Sequence, residues 1–109
     1  MKIHLKRDKY KSSRGGYSRL LSIFCRKCGI LIVTYQKDGP GNLRRLYFDR
    51  IFSPQKLVNL QKLNIKDIPF LKCNKCNEVL GTPYIYTKEN RKAFRLYQDA
   101  VMKKINKIN

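Results

Sequence analysis

Two short phrases hold most of the chemistry available to this chain. Cys25-Arg26-Lys27-Cys28 and Cys73-Asn74-Lys75-Cys76 contain all four cysteines of its 109 residues. A two-residue gap lets both sulfurs of a pair reach one tetrahedral ion, because the backbone curls around the metal in a tight knuckle. The residue behind each second cysteine is Gly29 in one phrase and Asn77 in the other. These two residue types tolerate best the positive φ that such a knuckle requires. Arg26, Lys27, Lys72 and Lys75 flank the ligands and offset the net negative charge of four thiolates around a divalent ion. Four protein ligands leave no coordination position for water, so the expected cofactor is one zinc ion in a structural role. An iron–sulfur centre uses the same ligand set. A thioredoxin-type redox site needs only one such pair.

Nothing else in the chain points to catalysis. His4 is the only histidine and stands in a basic terminus, where solvation is expected. Asp8, Asp38, Asp49, Asp67, Glu78, Glu89 and Asp99 are scattered, and no glycine-rich phosphate loop is present. We expect no enzyme, and no small-molecule substrate.

Charge is the second large feature. Twenty-five Lys and Arg against seven acids give a formal net charge of +18. Such a surface attracts polyanions, above all nucleic acid. Residues 1–19 read as a basic, flexible arm with Tyr10 and Tyr17 interleaved and a Ser12-Ser13-Arg14-Gly15-Gly16 break, ahead of a single domain over 20–109. Candidate phosphate contacts are Lys6, Arg7, Lys9, Lys11, Arg14 and Arg19, with Tyr10 or Tyr17 stacking on bases. Arg44, Arg45 and Arg50 extend the patch. The expected partner is RNA rather than DNA, in a ribosome-associated setting, with a ribosomal or other protein as a further partner. No apolar run is long enough to span a membrane, and the N-terminus lacks the apolar segment of a secretory signal. We expect no membrane partner and a cytoplasmic, reducing location, where cysteines bind metal rather than form disulfides.

The elements that must position the cysteines are mostly strands. Leu20–Phe24 and Ile30–Tyr35 are rich in β-branched and aromatic residues. Asp38-Gly39-Pro40-Gly41 is a turn, and Leu43–Phe48 reads as the return strand of a hairpin. Ser53-Pro54 reads as a helix start, Ser as N-cap and Pro at the first position, with Leu57, Leu60 and Leu63 marking a short helix over 54–63. Asp67–Lys72 leads, extended, into the second knuckle. Thr87 can cap a helix that carries Phe94, Tyr97, Val101 and Ile105 on one face. Alternatively, Tyr84–Thr87 and Ala93–Tyr97 pair around Lys88–Arg91, and only the last dozen residues are helical. The fold class is α+β, mainly β: a small zinc-stabilised antiparallel-sheet domain, β-tent or zinc-ribbon-like, with a mid-chain helix and a C-terminal helix.

Two Cys-x-x-Cys pairs around a long insert, the second followed by Leu80-Gly81-Thr82-Pro83-Tyr84 and later by Phe94, resemble the Yippee-like proteins. The resemblance covers residues 23–97. It implies a β-tent, two antiparallel sheets pinned at their apex by one zinc, as in methionine sulfoxide reductase B and the cereblon ligand-binding domain. The reductase's catalytic cysteine and histidines have no counterpart here, and with no Trp the chain cannot build the aromatic cage of cereblon-type domains. On this resemblance the second functional reading is an adaptor that binds a protein partner through its β surface. A two-knuckle zinc ribbon is the rival fold.

Overall fold

The computed structural model describes residues 5–106; Lys2, His4 and Lys107 lie outside them. Eight strands form the body: β1 (Ser18–Cys25), β2 (Leu31–Asp38), β3 (Arg45–Tyr47), β4 (Ile51–Ser53), β5 (Leu71–Lys72), β6 (Val79–Tyr86), β7 (Arg91–Leu96) and β8 (Val101–Asn106). Two helical turns, α1 (Lys9–Ser13) and α2 (Gln55–Val58), and short 3-10 turns complete it. The strands make two four-stranded antiparallel sheets, in the orders β4-β2-β1-β8 and β3-β7-β6-β5. This is the small, mainly antiparallel domain the composition implies.

Side-chain alternation builds the core. Leu21, Ile23 and Cys25 of β1, with Val33 and Tyr35 of β2, point inward from the first sheet. Leu46, Phe94, Leu96 and Leu80 answer from the second, and the rings of Phe48 and Phe94 lie 4.8 Å apart. Cys25 and Cys73 belong to the same buried cluster.

Three expectations are corrected. The C-terminal helix is absent from the described residues. Phe94 sits in β7, which forms a hairpin with β6 from Gly81–Leu96 to Tyr86–Arg91, and Val101 and Ile105 sit in β8 along the free edge of β1. Spacing of three and four residues also fits two short strands broken by the 3-10 turn Gln98–Ala100, and pairing over Leu20–Cys25 decides between them. The segment after the Asp38–Gly41 turn does not return along β2. β3 crosses to the second sheet and pairs with β7, while Tyr47 N–H donates to the buried Tyr35 hydroxyl at 2.9 Å. Finally, Ser53 ends β4 and caps no helix. Pro54 is extended (ψ 159°), and the mid-chain helix is a single turn, Gln55–Val58, tightening into a 3-10 turn over Asn59–Lys62. Leu57 and Leu60 still pack, half-buried, against the core as their spacing implies, whereas Leu63 is exposed. A 3-10 turn, Ile65–Asp67, precedes the approach to β5, and Ile68 after it is extended as expected.

Chain direction places the two kinds of special residue at opposite ends. The β1–β2 and β5–β6 connections carry the cysteines. At the far ends of β2 and β6 lie Asp38 and the β6–β7 turn with Glu89, where α1 docks.

Candidate functional site

Both knuckles are built from the same backbone bonds. Gly29 N–H donates to Cys25 O at 2.8 Å and Asn77 N–H to Cys73 O at 2.9 Å. Cys25 N–H donates to Ile30 O, and Cys73 N–H to Glu78 O, each at 2.9 Å. Gly29 (φ 79°) and Asn77 (φ 63°) both occupy the left-handed region, as the sequence implies. Each loop thus turns its two sulfurs towards the other loop.

All four Sγ atoms lie within 4.8 Å of one another. The closest approaches cross between the knuckles, Cys28–Cys73 at 3.4 Å and Cys25–Cys76 at 3.7 Å. These exceed a disulfide bond of ~2.05 Å and approach the ~3.8 Å edge of a sulfur tetrahedron around an ion with ~2.3 Å bonds. The four cysteines can therefore hold one metal ion. Burial opposes ionisation of Cys73, but the Cys76 and Lys75 amides donate to its sulfur and bring its pKa down to about 6. At Cys76 the Glu78 amide favours the thiolate, yet burial and the three neighbouring thiols push the pKa up to about 11. A metal ion binding here must displace protons from such thiols. Lys27 meets Glu78 at 3.3 Å across the two knuckles, both side chains well exposed.

The expected basic contacts divide into two groups. Arg50 is buried, its guanidinium bound to Asp38 (2.8 Å) and Asp8 (2.6 Å), so it is withdrawn from the surface. Arg14 grips Glu89 with both terminal nitrogens, at 2.7 and 3.0 Å. Tyr10 is half-buried, with the Arg91 guanidinium 3.9 Å from its ring centroid. Lys6 is tied down as well: its amide donates to Gln36 Oε1 at 2.6 Å and its ammonium to Asp49 O. Arg7, Lys9, Tyr17 and Arg44 are exposed, and Lys11, Arg19 and Arg45 are half-buried. Residues 6–16 thus lie along the sheets, fastened by these contacts.

Sequence reasoning passed over the outer face of the second sheet. Cross-strand register puts Arg45 and Tyr47 of β3, Arg91 and Arg95 of β7, and Tyr84 and Tyr86 of β6 on one face. Arg45 stands 4.3 Å over the Tyr86 ring and donates to the Tyr84 hydroxyl at 2.8 Å, and Arg95 stands 4.6 Å over Tyr84. The period-two spacing of Tyr84, Tyr86 and Arg91, Ala93, Arg95 carried that information once 84–97 was read as a hairpin. Also unforeseen is an apolar groove of about 570 Å³ beside the second knuckle, floored by Leu57, Leu60 and Leu71 with Phe70 and Leu31 exposed at its rim. No helix among the described residues is long and apolar enough to cross a membrane.

No family model matches this chain, and no curated protein or solved structure matches it.

Proposed function

We propose that the chain is a non-enzymatic protein in which one structural zinc ion supports a surface that binds RNA, in a ribosome-associated setting. Charge carries this reading. Among the described residues, five of the seven carboxylates are engaged with only four cations, Arg14, Lys27, Arg50 and Arg91. The many other Lys and Arg side chains among the described residues find almost no carboxylate to meet, and uncompensated positive charge is the footprint of a polyanion partner. The exposed Tyr17 ring, with Arg19 5.7 Å from its centroid, suits stacking on an unpaired base. Zinc is favoured among metals by a closed tetrathiolate set.

Binding of a structured RNA should weaken steeply with salt, and the triple substitution Arg7→Gln, Lys9→Gln, Lys11→Gln should lower the slope of log K against log salt by about three. Affinity that stays flat between low and moderate salt would remove this reading. Deleting residues 1–19 is a poorer test, because it takes the Asp8 partner from Arg50 and the first residues from β1.

One observation favours a second reading, a Yippee-like adaptor. Two antiparallel sheets joined at one end by four cysteines are what that resemblance implies. Gly81, in the Leu80-Gly81-x-x-Tyr84 phrase, sits where an added Cβ would come 2.7 Å from Arg95 O. The apolar groove would then receive the partner, and Phe70→Ser would abolish binding that the triple substitution leaves intact.

A further inference from the structure

At the end of the body remote from the cysteines, a pocket of about 90 Å³ opens beside the β2–β3 loop and α1. Arg14, Lys37, Arg44 and Arg45 line it, with the hydroxyl-bearing Tyr35 and Tyr47. Asp38 is the one carboxylate in the lining, and it is already engaged. Its Oδ1 accepts from Ser18 Oγ and Gln36 Nε2, and its Oδ2 from Arg50 Nε.

The donors around this space outnumber the acceptors. Tyr47 Oη accepts from Arg14 Nη2 at 3.1 Å and from Arg45 Nη1 at 3.3 Å, so its own proton has to point away from both guanidinium groups. Tyr35 Oη accepts the Tyr47 amide and donates to no acceptor among the described residues. Lys37 Nζ donates to Gly39 O and Pro40 O, each at 3.2 Å, leaving a third proton. Across the β1–β2 ladder from Lys37, the buried Nε of Arg19 has no hydrogen-bond partner among the described residues. Burial, with the charges of Arg19, Lys103 and Arg14, lowers the pKa of Lys37, which marks a cluster short of negative charge. Close packing fixes this arrangement: at Gly39 an added Cβ would come 2.8 Å from Arg14 Cβ.

We propose that this pocket binds one phosphate group, the terminal phosphate of an RNA strand. Arg14 already holds Glu89 with both terminal nitrogens, but the guanidinium groups of Arg44 and Arg45, with the hydroxyl donors around a small recess, match a tetrahedral oxyanion. A recess of about 90 Å³ has room for such a group. A terminal monoester offers three unshared oxygens to a recess. A backbone diester offers two and must bring both flanking sugars with it. The source of the phosphate rests on the RNA-binding reading above, whereas the oxyanion chemistry stands without it.

The test uses the full, metal-loaded chain and three strands of one RNA sequence, with a 5′-phosphate, a 3′-phosphate or hydroxyls at both ends, alongside inorganic phosphate followed by NMR. One phosphorylated strand should bind on the order of tenfold tighter than the hydroxyl-ended strand. Inorganic phosphate should saturably shift resonances of Lys37, Arg44, Arg45 and Tyr47. Arg44→Gln, at an exposed position, and Tyr47→Phe, which keeps the ring, should abolish both effects while the circular dichroism spectrum is unchanged. Equal binding of all three strands with no phosphate shifts overturns the pocket and leaves RNA binding standing. Phosphate shifts with no binding of any strand support the oxyanion site and remove its RNA source. A preference that persists in both folded variants overturns the assignment.

Discussion

Gly29 and Asn77 do the same job with different chemistry, and the difference is measurable. Both sit at positive φ behind a ligand cysteine, and an added Cβ at Gly29 meets no atom within 4 Å. Gly29→Ala therefore costs backbone strain alone, about 1 kcal/mol, in denaturant unfolding of the metal-loaded protein. Asn77→Gly should change stability by only a few tenths of a kcal/mol, since glycine accepts the same φ. Gly81 is a different case, because its limit is space rather than φ. Gly81→Ala pushes a methyl group against Arg95 O and should cost about 1–3 kcal/mol by prising β6 from β7. The knuckle glycine and asparagine were legible in sequence, because spacing to a cysteine defines the backbone they need. Arg50 was not: a basic residue in a basic chain looks like surface until Asp8 and Asp38, 42 and 12 positions away, are brought to it.

At the scale of elements, sequence period foretold β1, β2 and the burial of Leu57 and Leu60, all local properties. It misassigned β8 and the partner of β3, which depend on which strand edge is free. The same long-range logic governs α1, a single turn that cannot persist alone. Asp8 Oδ1 caps it by accepting from the Tyr10 and Lys11 amides at 3.0 and 3.3 Å, and also takes Arg50 Nη2. The Arg50 hydrogen bond, reinforced by those amides, holds the Asp8 pKa at about 2 despite some desolvation. A folded pKa below the unfolded value means the contribution is complete above pH ~4 and is lost as pH falls towards 2. Asp8→Asn should thus cost about 1 kcal/mol at neutral pH, discounted for its partial exposure, and the gap to wild type should close as pH falls from 5 to 2. Arg50→Met strands Asp38 without its buried partner and should cost about 3–5 kcal/mol in denaturant unfolding at neutral pH. Equal losses for the two variants would mean that Asp38 does not depend on Arg50.

For the molecule as a whole, the two sheets are held by fastenings of unequal strength. Sequence showed the cysteine end well, since 44 residues between the pairs (29–72) already demand a clamp between distant segments. The ionic end was hidden, because it is assembled from α1, β2, the β3–β4 connection and the β6–β7 turn, none adjacent in the chain. A structural zinc site contributes ~10 kcal/mol or more, comparable with the whole ~5–15 kcal/mol stability of a domain this size. Chelation at neutral pH should therefore unfold the protein cooperatively, with loss of its far-ultraviolet β signal, while Arg50→Met leaves a folded, less stable protein. Protons act on the same end. Cys76, near 11, is protonated at pH 7 and must release its proton to a metal, so metal affinity should rise through pH 7–9. Below about pH 6 even Cys73 holds its proton, and affinity should fall faster still. Release of the metal on acidification, followed with a metallochromic dye, should precede or accompany loss of the β signal. Complete unfolding by acid with the metal still bound would mean that the ionic end, not the cysteine end, yields to acid first.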